Sequence, residues 1–394
     1  MTAPEVIRIE GVARHYAWGS PTAIPQLLGL EADGTPVAEL WFGAHPGDPS
    51  PVPDLGTTLD DVIASDPVQL LGSDVARRFG NRMPFLVKVL AADVALSIQV
   101  HPTIEQAREG FSSEEARGIP RDAPERNYRD DNHKPELLCA LTPFEALCGF
   151  RPVAQTLEVL DALDIAELRP LRDLLAGPDG LRAAFTALLQ HPDPTALVAA
   201  VSERALAADD DGLRAQRLLT HDFPGDIGIV LSLLLNHVRL EPGDAIFLRA
   251  GNVHSYLRGT GIEIMANSDN VLRCALTPKH VAVDQVLAVA DFTPMPDPRC
   301  PVDTDGFGAT YLTPVDDFHL QAIDLDAYGG SCAAGLPGPH VVLCVDGHVT
   351  VSRSADRIVL RPGQAAFVVA GDGSAFTLDG AGRVYVASVG SLAS

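Results

Sequence analysis

The sequence predicts a mainly β protein with a helical insertion, its strands gathered into two related β-barrels. Three observations predict this. Strand-like segments fill residues 83–102 and 134–141 and return from Ile227, residues 153–218 carry apolar positions at helical spacing, and the last hundred residues repeat a stretch from near residue 240.

The N-terminal run MTAPEVIRIEGVARHYAWG has neither the basic start nor the apolar core of a secretory signal, so a cytoplasmic protein is expected. From residue 83, MPFLVKVLAADVALSIQVHP reads as two short apolar strands joined by a tight connection. Residues 103–132 are polar and charged and end in RNYRDDN, which reads as a long loop or a loop with a short helix. The strand-like KPELLCAL and a turn at Thr142-Pro143 follow, and the character changes at Arg151-Pro152.

Leu157, Leu160 and Leu163, then Leu171, Leu174 and Leu175, fall at helical spacing. Breaks at Gly177-Pro178 and at His191-Pro192-Asp193-Pro194 divide this insertion into several helices. The strand pattern resumes at Ile227 and runs through LEPGDAIFLRAGNVHSYL. Further on, residues 341–351 are interrupted by Asp346-Gly347, a hairpin signal. LRPGQAAFVVAGDGSAF (360–376) lies on LEPGDAIFLRAGNVHSY (240–256) without a gap, at a shift of 120. Two related barrels are implied, and Ser374 stands where the first copy has His254, so the second is expected to lack a metal site.

With 52 acidic against 29 basic residues the formal charge is -23, which excludes nucleic acid or an anionic membrane as the main partner. An anionic small molecule would need Lys and Arg gathered locally against that field. The longest apolar run, near residues 227–235, falls short of the roughly 20 residues of a membrane span. The six cysteines (139, 148, 274, 300, 332 and 344) are scattered with no C-x-x-C pair and read as reduced, mostly buried residues.

Chemistry is concentrated in LSIQVHP, residues 96–102, where Ser97, Gln99 and His101 share one strand face while Leu96, Ile98 and Val100 take the other. In NHKPELL, Lys134 and Glu136 again lie two apart; in GNVHSY, so do His254 and Tyr256. Gln99, His101, Glu136 and His254 are therefore the candidate ligands, and two imidazoles with a carboxylate and an amide oxygen suit Zn²⁺. His15, His45 and His133 are left out of that set; His15 and His45 read as packing or turn residues. Glu263, Asp269 and Arg273 lie together in GIEIMANSDNVLRCALTPKHV, and Lys88 sits between Val87 and Val89 in a strand, where a lysine requires an anionic partner. Arg273, Lys134 and Lys88 would make a basic pocket for an anionic substrate.

RHYAWG, AELWFGAHP, MPFLVKVL, ALSIQVHP, NHKPEL, PGDAIFLRAGNVHSYL and IEIMANSDNVLRCALTPKHV occur in an order that resembles the type I phosphomannose isomerase family, across most of the chain. The resemblance implies two cupin-type (jelly-roll) β-barrels plus an α-helical domain. Residues 1–150 and 226–295 would form the catalytic barrel, 151–225 the helical domain, and 296–394 a second barrel without metal ligands. It implies one zinc ion per chain, held by Gln99, His101, Glu136 and His254, and interconversion of mannose 6-phosphate and fructose 6-phosphate through an enediol. The family's catalytic arginine falls on Arg273 and other active-site positions on Lys88, Ser97, Lys134, Glu263 and Asp269. One departure follows His101-Pro102, where many members continue Asp-Lys and this chain has Thr103-Ile104-Glu105.

In such a reaction Arg273 would stabilise the enediolate charge, and Glu263 or a metal-bound water would move the carbon-bound proton. Lys134 would serve the chemistry or the phosphate, Ser97 with Lys88 the phosphate, and Asp269 and Tyr256 the substrate. The expected partner is a small phosphosugar, with no nucleic acid and no membrane; a monomer is compatible with the sequence, which does not fix the oligomeric state. Two readings from other classes stand beside this one: an iron dioxygenase on the same barrel, and a non-catalytic sugar-phosphate-binding cupin.

Overall fold

The computed structural model describes residues 4–208, 211–371 and 375–390. The chain begins with β1 (Val6–Ile9), β2 (Val12–Arg14), α1 (Ala23–Leu27), β3 (Glu39–Gly43) and the ribbon β4 (Pro51–Val52) and β5 (Thr57–Thr58). Three short helices follow, α2 (Leu59–Ser65), α3 (Pro67–Leu71) and α4 (Ser73–Phe79). Then come β6 (Phe85–Ala92), β7 (Ile98–Val100), α5 (Ile104–Ala116), β8 (Glu136–Ala140) and β9 (Phe144–Phe150). Between β9 and the next strand the described chain is helical: α6 (Val153–Leu163), α7 (Arg169–Leu175), α8 (Gly180–Leu189), α9 (Thr195–Ala207), α10 (Arg214–Asp222) and α11 (Gly228–Leu231). β10 (Leu235–Leu240), β11 (Ala245–Leu248), β12 (His254–Ala266), β13 (Leu272–Ala275) and α12 (Val283–Val289) complete this half. The rest is β14 (Val302–Thr304), β15 (Gly308–Tyr311), β16 (His319–Asp324), β17 (Ser331–Ala334), β18 (His340–Arg353), β19 (Asp356–Leu360), β20 (Ala365–Val368) and β21 (Phe376–Ser388).

The strands form a ten-stranded sheet ordered β10-β9-β12-β6-β3-β2, with β7, β8, β11 and β13 attached through β12, and a nine-stranded sheet ordered β1-β20-β18-β21-β16-β15-β14 that also carries β17 and β19. Pairing is antiparallel, and among the described residues neither sheet closes on itself. Segment 1–150 does not stay within one sheet, because β1 pairs with β20 in the nine-stranded sheet and places Ile7 and Ile9 in the apolar layer between the two sheets.

Strand parity builds the layers. Val87, Val89, Ile262, Ile264, Leu137 and Cys139 pack against Phe367, Val341 and Tyr385 of the other sheet. The alternate residues of the same strands, Leu90, Ala92, Leu138 and Ala140, lie on the opposite face and cluster with Phe144 and Tyr256, and Lys88, Glu136 and Glu263 share that parity. The helices bury Leu160, Leu171, Phe185, Val198 and Leu219 against Ile98, Val100, Phe150 and Leu272. The six cysteines are free thiols. No helix among the described residues is long and apolar enough to cross a membrane.

Two expectations change, and a third is decided between its alternatives. The run from Ile227 enters as α11 and a 3-10 turn, and the strand starts at Leu235; a short, fully buried apolar run has no periodicity to separate helix from strand. Asp346-Gly347 is not a hairpin turn: β18 runs through it with both residues paired to β21, a bulge lies just before it between Cys344 and Asp346, and Gly347 has φ 72°. Segment 103–132 opens with a 13-residue helix, started by a reciprocal capping box between Thr103 and Gln106. The repeat appears as an equivalence of β11 and β20, each preceded by a Pro-Gly turn whose glycine, Gly243 or Gly363, has positive φ. Ser374 lies outside the described residues.

Candidate metal centre

Sheet register brings the predicted ligands together. His254, the first residue of β12, lies opposite Gln99 on β7, which lies opposite Arg273 on β13; Glu136 opens β8 and pairs with Met265 further along β12. His101 follows β7 directly. The Glu136 carboxylate is divided between two tasks. Its Oε1 lies 3.1 Å from Lys134 Nζ, while Oε2 lies 3.4 Å from Nε2 of both His101 and His254.

Each imidazole is aimed by its other nitrogen. His101 Nδ1 is 2.7 Å from the Asn270 carbonyl and His254 Nδ1 is 2.9 Å from the Asn252 carbonyl, so each Nδ1 donates and each Nε2 is left with its lone pair facing the centre. Burial pulls the His101 pKa down to about 4, against the Glu136 charge, which keeps the ring neutral. Burial alone would raise Glu136, but the Lys134 charge opposes it, and the carboxyl is held well below its usual range. His101 Nε2 and Glu136 Oε2 are buried without a hydrogen-bond partner, and the three ligand atoms converge within 4.8 Å. Unpaired buried donor atoms of this kind, all acceptors, fit a cation between them. The Gln99 amide is 3.4 Å from His254 Nε2, and a flip about its last bond turns the oxygen inward.

A second buried cluster lies beyond Glu136. Lys88 Nζ is 2.8 Å from Glu263 and 3.5 Å from Glu39; the Tyr256 hydroxyl donates to Glu263 at 2.9 Å, and Trp41 Nε1–H donates to Glu39 at 2.8 Å. Burial would lower the Lys88 pKa, yet Glu263 and Glu39 outweigh it and hold it above the ordinary lysine range. Glu263 is raised by burial and by the charges of Glu136 and Glu39, with Lys88 opposing. Sequence reasoning asked for one anionic partner for Lys88 and missed Glu39, whose pairing is visible only across the β3–β6 ladder.

Arg273 is half-buried, and burial with the nearby Arg129 lowers its pKa; Lys279 is lowered by burial and by the same two arginines. Arg129, Arg273 and Lys279 thus lie near enough to repel one another, and Arg129 and Lys279 were not among the predicted residues. Ser97 Oγ is 3.4 Å from the Gln99 amide oxygen. Asp269 lies 3.6 Å from His45, whose Nδ1 accepts the Gly47 N–H at 3.1 Å. His133 pairs with Asp317 at 3.0 Å, and His15 meets the Pro36 carbonyl at 3.0 Å on the surface. A cavity of about 650 Å³ lies beside His45 and Asp269, lined also by Arg82, Ile104, Arg108 and Arg129; none of the four predicted metal ligands is among its lining residues.

Residues 6–153 match the model of the phosphomannose isomerase type I catalytic domain. The chain is 40% identical over 382 residues to the mannose-6-phosphate isomerase of Escherichia coli K12, covering 94% of this chain and 96% of that one. It is 32% identical over 416 residues to the Bos taurus enzyme of the same name, covering 94% and 95%. Among solved structures, a mannose 6-phosphate isomerase bound with zinc and yttrium superposes with a TM-score of 0.89 at 35% identity, covering 98% of this chain and 100% of that one. One from Salmonella typhimurium, bound to its substrate fructose 6-phosphate and to zinc, superposes with a TM-score of 0.88 at 35% identity and the same coverage.

Proposed function

The chain belongs to the type I phosphomannose isomerase family and interconverts mannose 6-phosphate and fructose 6-phosphate with zinc, and we propose how its residues divide that work. Gln99, His101, Glu136 and His254 hold the ion. The observation that carries this is the Glu136 carboxylate, one oxygen on Lys134 and the other unpaired between two imidazoles. When bound, zinc supplies a fixed positive charge that polarises substrate oxygen.

Isomerisation moves a proton between C2 and C1, and the obstacle is a weakly acidic C–H bond. Arg273 has no carboxylate among the groups that shift it, so its charge is free to meet the negative charge that develops on O1 and O2. Glu263 accepts the carbon-bound proton: it is buried, its pKa is raised, and the Tyr256 hydroxyl fixes one of its oxygens. Lys134, on the far oxygen of Glu136, moves the proton between the substrate oxygens. Lys88 already has two carboxylates, so its role shifts from phosphate to holding Glu263 in place. The phosphate falls to Arg129 and Lys279 beside Arg273, with Ser97 and Asp269 orienting the sugar.

The ten-stranded sheet is read as the catalytic cupin barrel (1–150 and 226–295, less β1), the helices of 151–225 as its inserted domain, and 296–394 as the second barrel. The support is the 120-residue repeat and the matching β11 and β20 turns. A monomer holds every residue of the site. Relatives of the chain are isomerases, which leaves the dioxygenase and the non-catalytic reading without support. The test is a coupled assay of mannose 6-phosphate conversion before chelation, after it, and after zinc is restored. Loss and recovery are expected; no turnover by folded, zinc-loaded protein would overturn the reading.

A further inference from the structure

We propose that Asn270 is a positioning residue that couples the metal ligand His101 to the segment 127–132, so that ordering of the segment and binding of zinc favour one another. The proposal rests on His101 being a zinc ligand.

Asn270 is fully buried, and every polar group it has is committed. Its carbonyl accepts His101 Nδ1–H at 2.7 Å. Its side-chain oxygen accepts the backbone N–H of Arg129 at 2.7 Å and of Asp130 at 3.3 Å. Its side-chain nitrogen donates to the carbonyls of Asp130 and Asn132 at 2.8 and 2.9 Å. Backbone donors on one side and carbonyls on the other leave the amide a single orientation.

Other contacts hold the segment as well: Tyr128 is buried and its hydroxyl donates to Gln285 at 2.9 Å, Arg126 donates to the Tyr128 carbonyl at 2.6 Å, and Asn132 donates to the Asn267 carbonyl at 3.0 Å. At its start, Glu114 on α5 accepts the N–H groups of Asn127 and Tyr128 at 3.1 and 2.9 Å. At its end, the Asp130 carboxylate takes Ser268 Oγ at 2.8 Å and the Asp269 N–H at 2.7 Å, which ties it back to the residues flanking Asn270. Arg129, which lies near enough to Arg273 to repel it, rides on this segment. The same residue therefore aims a metal-binding imidazole through its backbone and secures a cation-bearing segment through its side chain. Displacing the side chain shifts the carbonyl that fixes the His101 ring, and partners that orient a ligating histidine typically change metal affinity by roughly 10–100-fold. Coupling of this kind is reciprocal, so zinc must in turn steady the segment.

The experiment compares amide exchange of the wild-type chain with and without zinc, and zinc affinity by competition with a chromogenic chelator for Asn270→Ala, Asp130→Ala and Gln216→Ala. Gln216, buried against Ser232 in the helical part, controls for general destabilisation. Expected are slower exchange at residues 127–132 when zinc is bound, a zinc Kd raised about 10–100-fold in Asn270→Ala, a change of the same sign in Asp130→Ala, and a Kd near wild type in Gln216→Ala. Unchanged exchange at 127–132, or unchanged affinity in a folded Asn270→Ala, overturns the proposal; if that variant does not fold, Asp130→Ala and the wild-type exchange decide it. A wild-type chain that binds no zinc would instead defeat the metal assignment.

Discussion

His340 occupies in the nine-stranded sheet the register position that Glu136 occupies in the ten-stranded one. Glu136 lies opposite Leu248 on β11, His340 lies opposite Val368 on β20, and Leu248 and Val368 are separated by the 120 residues of the repeat. The surroundings differ. Lys88 and Glu263 face each other across the first ladder, and their counterparts are Gln321 and Val386. His340 Nε2 is already used as the acceptor of the Leu336 N–H at 2.9 Å, and Phe376 meets its ring edge-on.

One zinc per chain is the expected outcome. Glu136→Gln removes the charge that two imidazoles face and should lose the metal, while His340→Ala should keep it. Elemental analysis of both purified variants checks this; zinc lost from His340→Ala would place a second metal site in the copy.

Arg273→Ala should leave zinc bound and lower kcat by roughly 10²–10³-fold, the usual loss when one donor to a developing oxyanion is removed. Steady-state kinetics at saturating zinc read it. A change confined to KM would make Arg273 a binding residue only.

Lys88 and Glu39 should respond unequally. Lys88→Met leaves Glu263 and Glu39 buried without their cation, and breaking a buried pair in this way costs about 3–5 kcal/mol. Glu39→Gln leaves Lys88 its closer partner at 2.8 Å and removes only a hydrogen-bonded charge, for about 1–3 kcal/mol. Urea denaturation separates the two, and equal losses would mean that Glu39 supports Lys88 as strongly as Glu263 does.

What the sequence reveals here follows from period and register. Gln99, His101, Glu136 and His254 stand out because strand alternation puts polar groups where a core strand has none, and three of them do meet within 4.8 Å. Glu39 and Arg129 do not stand out, since their partners lie across ladders or far along the chain. The orienting groups of Asn252 and Asn270 are backbone carbonyls, which any residue would provide. Asp346-Gly347 has the local preference of a turn, and pairing along β21 overrides it. The crossing of β1 into the other sheet depends on contacts more than 350 residues apart.

Glu145 links the helical part to the sheet and gives the protein an acid-sensitive joint. On β9 it receives Arg214, the first residue of α10, at 2.7 Å and His237 of β10 at 2.9 Å. Burial would raise its pKa, but His237 and Arg214 outweigh that and bring it down to about 2, from an ordinary 4.5. A carboxyl depressed on folding stabilises the protein above its unfolded pKa, and that stability is lost as pH falls from about 4.5 towards 2. Arg214 is 43% exposed, so screening holds the contribution to roughly 1 kcal/mol at neutral pH. Glu145→Gln should therefore unfold at a lower temperature than wild type at pH 7, and the two melting curves should converge as pH falls from about 4.5 towards 2, where the unfolded carboxyl takes up its proton before the native one does. A gap that stays constant from pH 7 to pH 3 would show that the variant loses packing rather than charge.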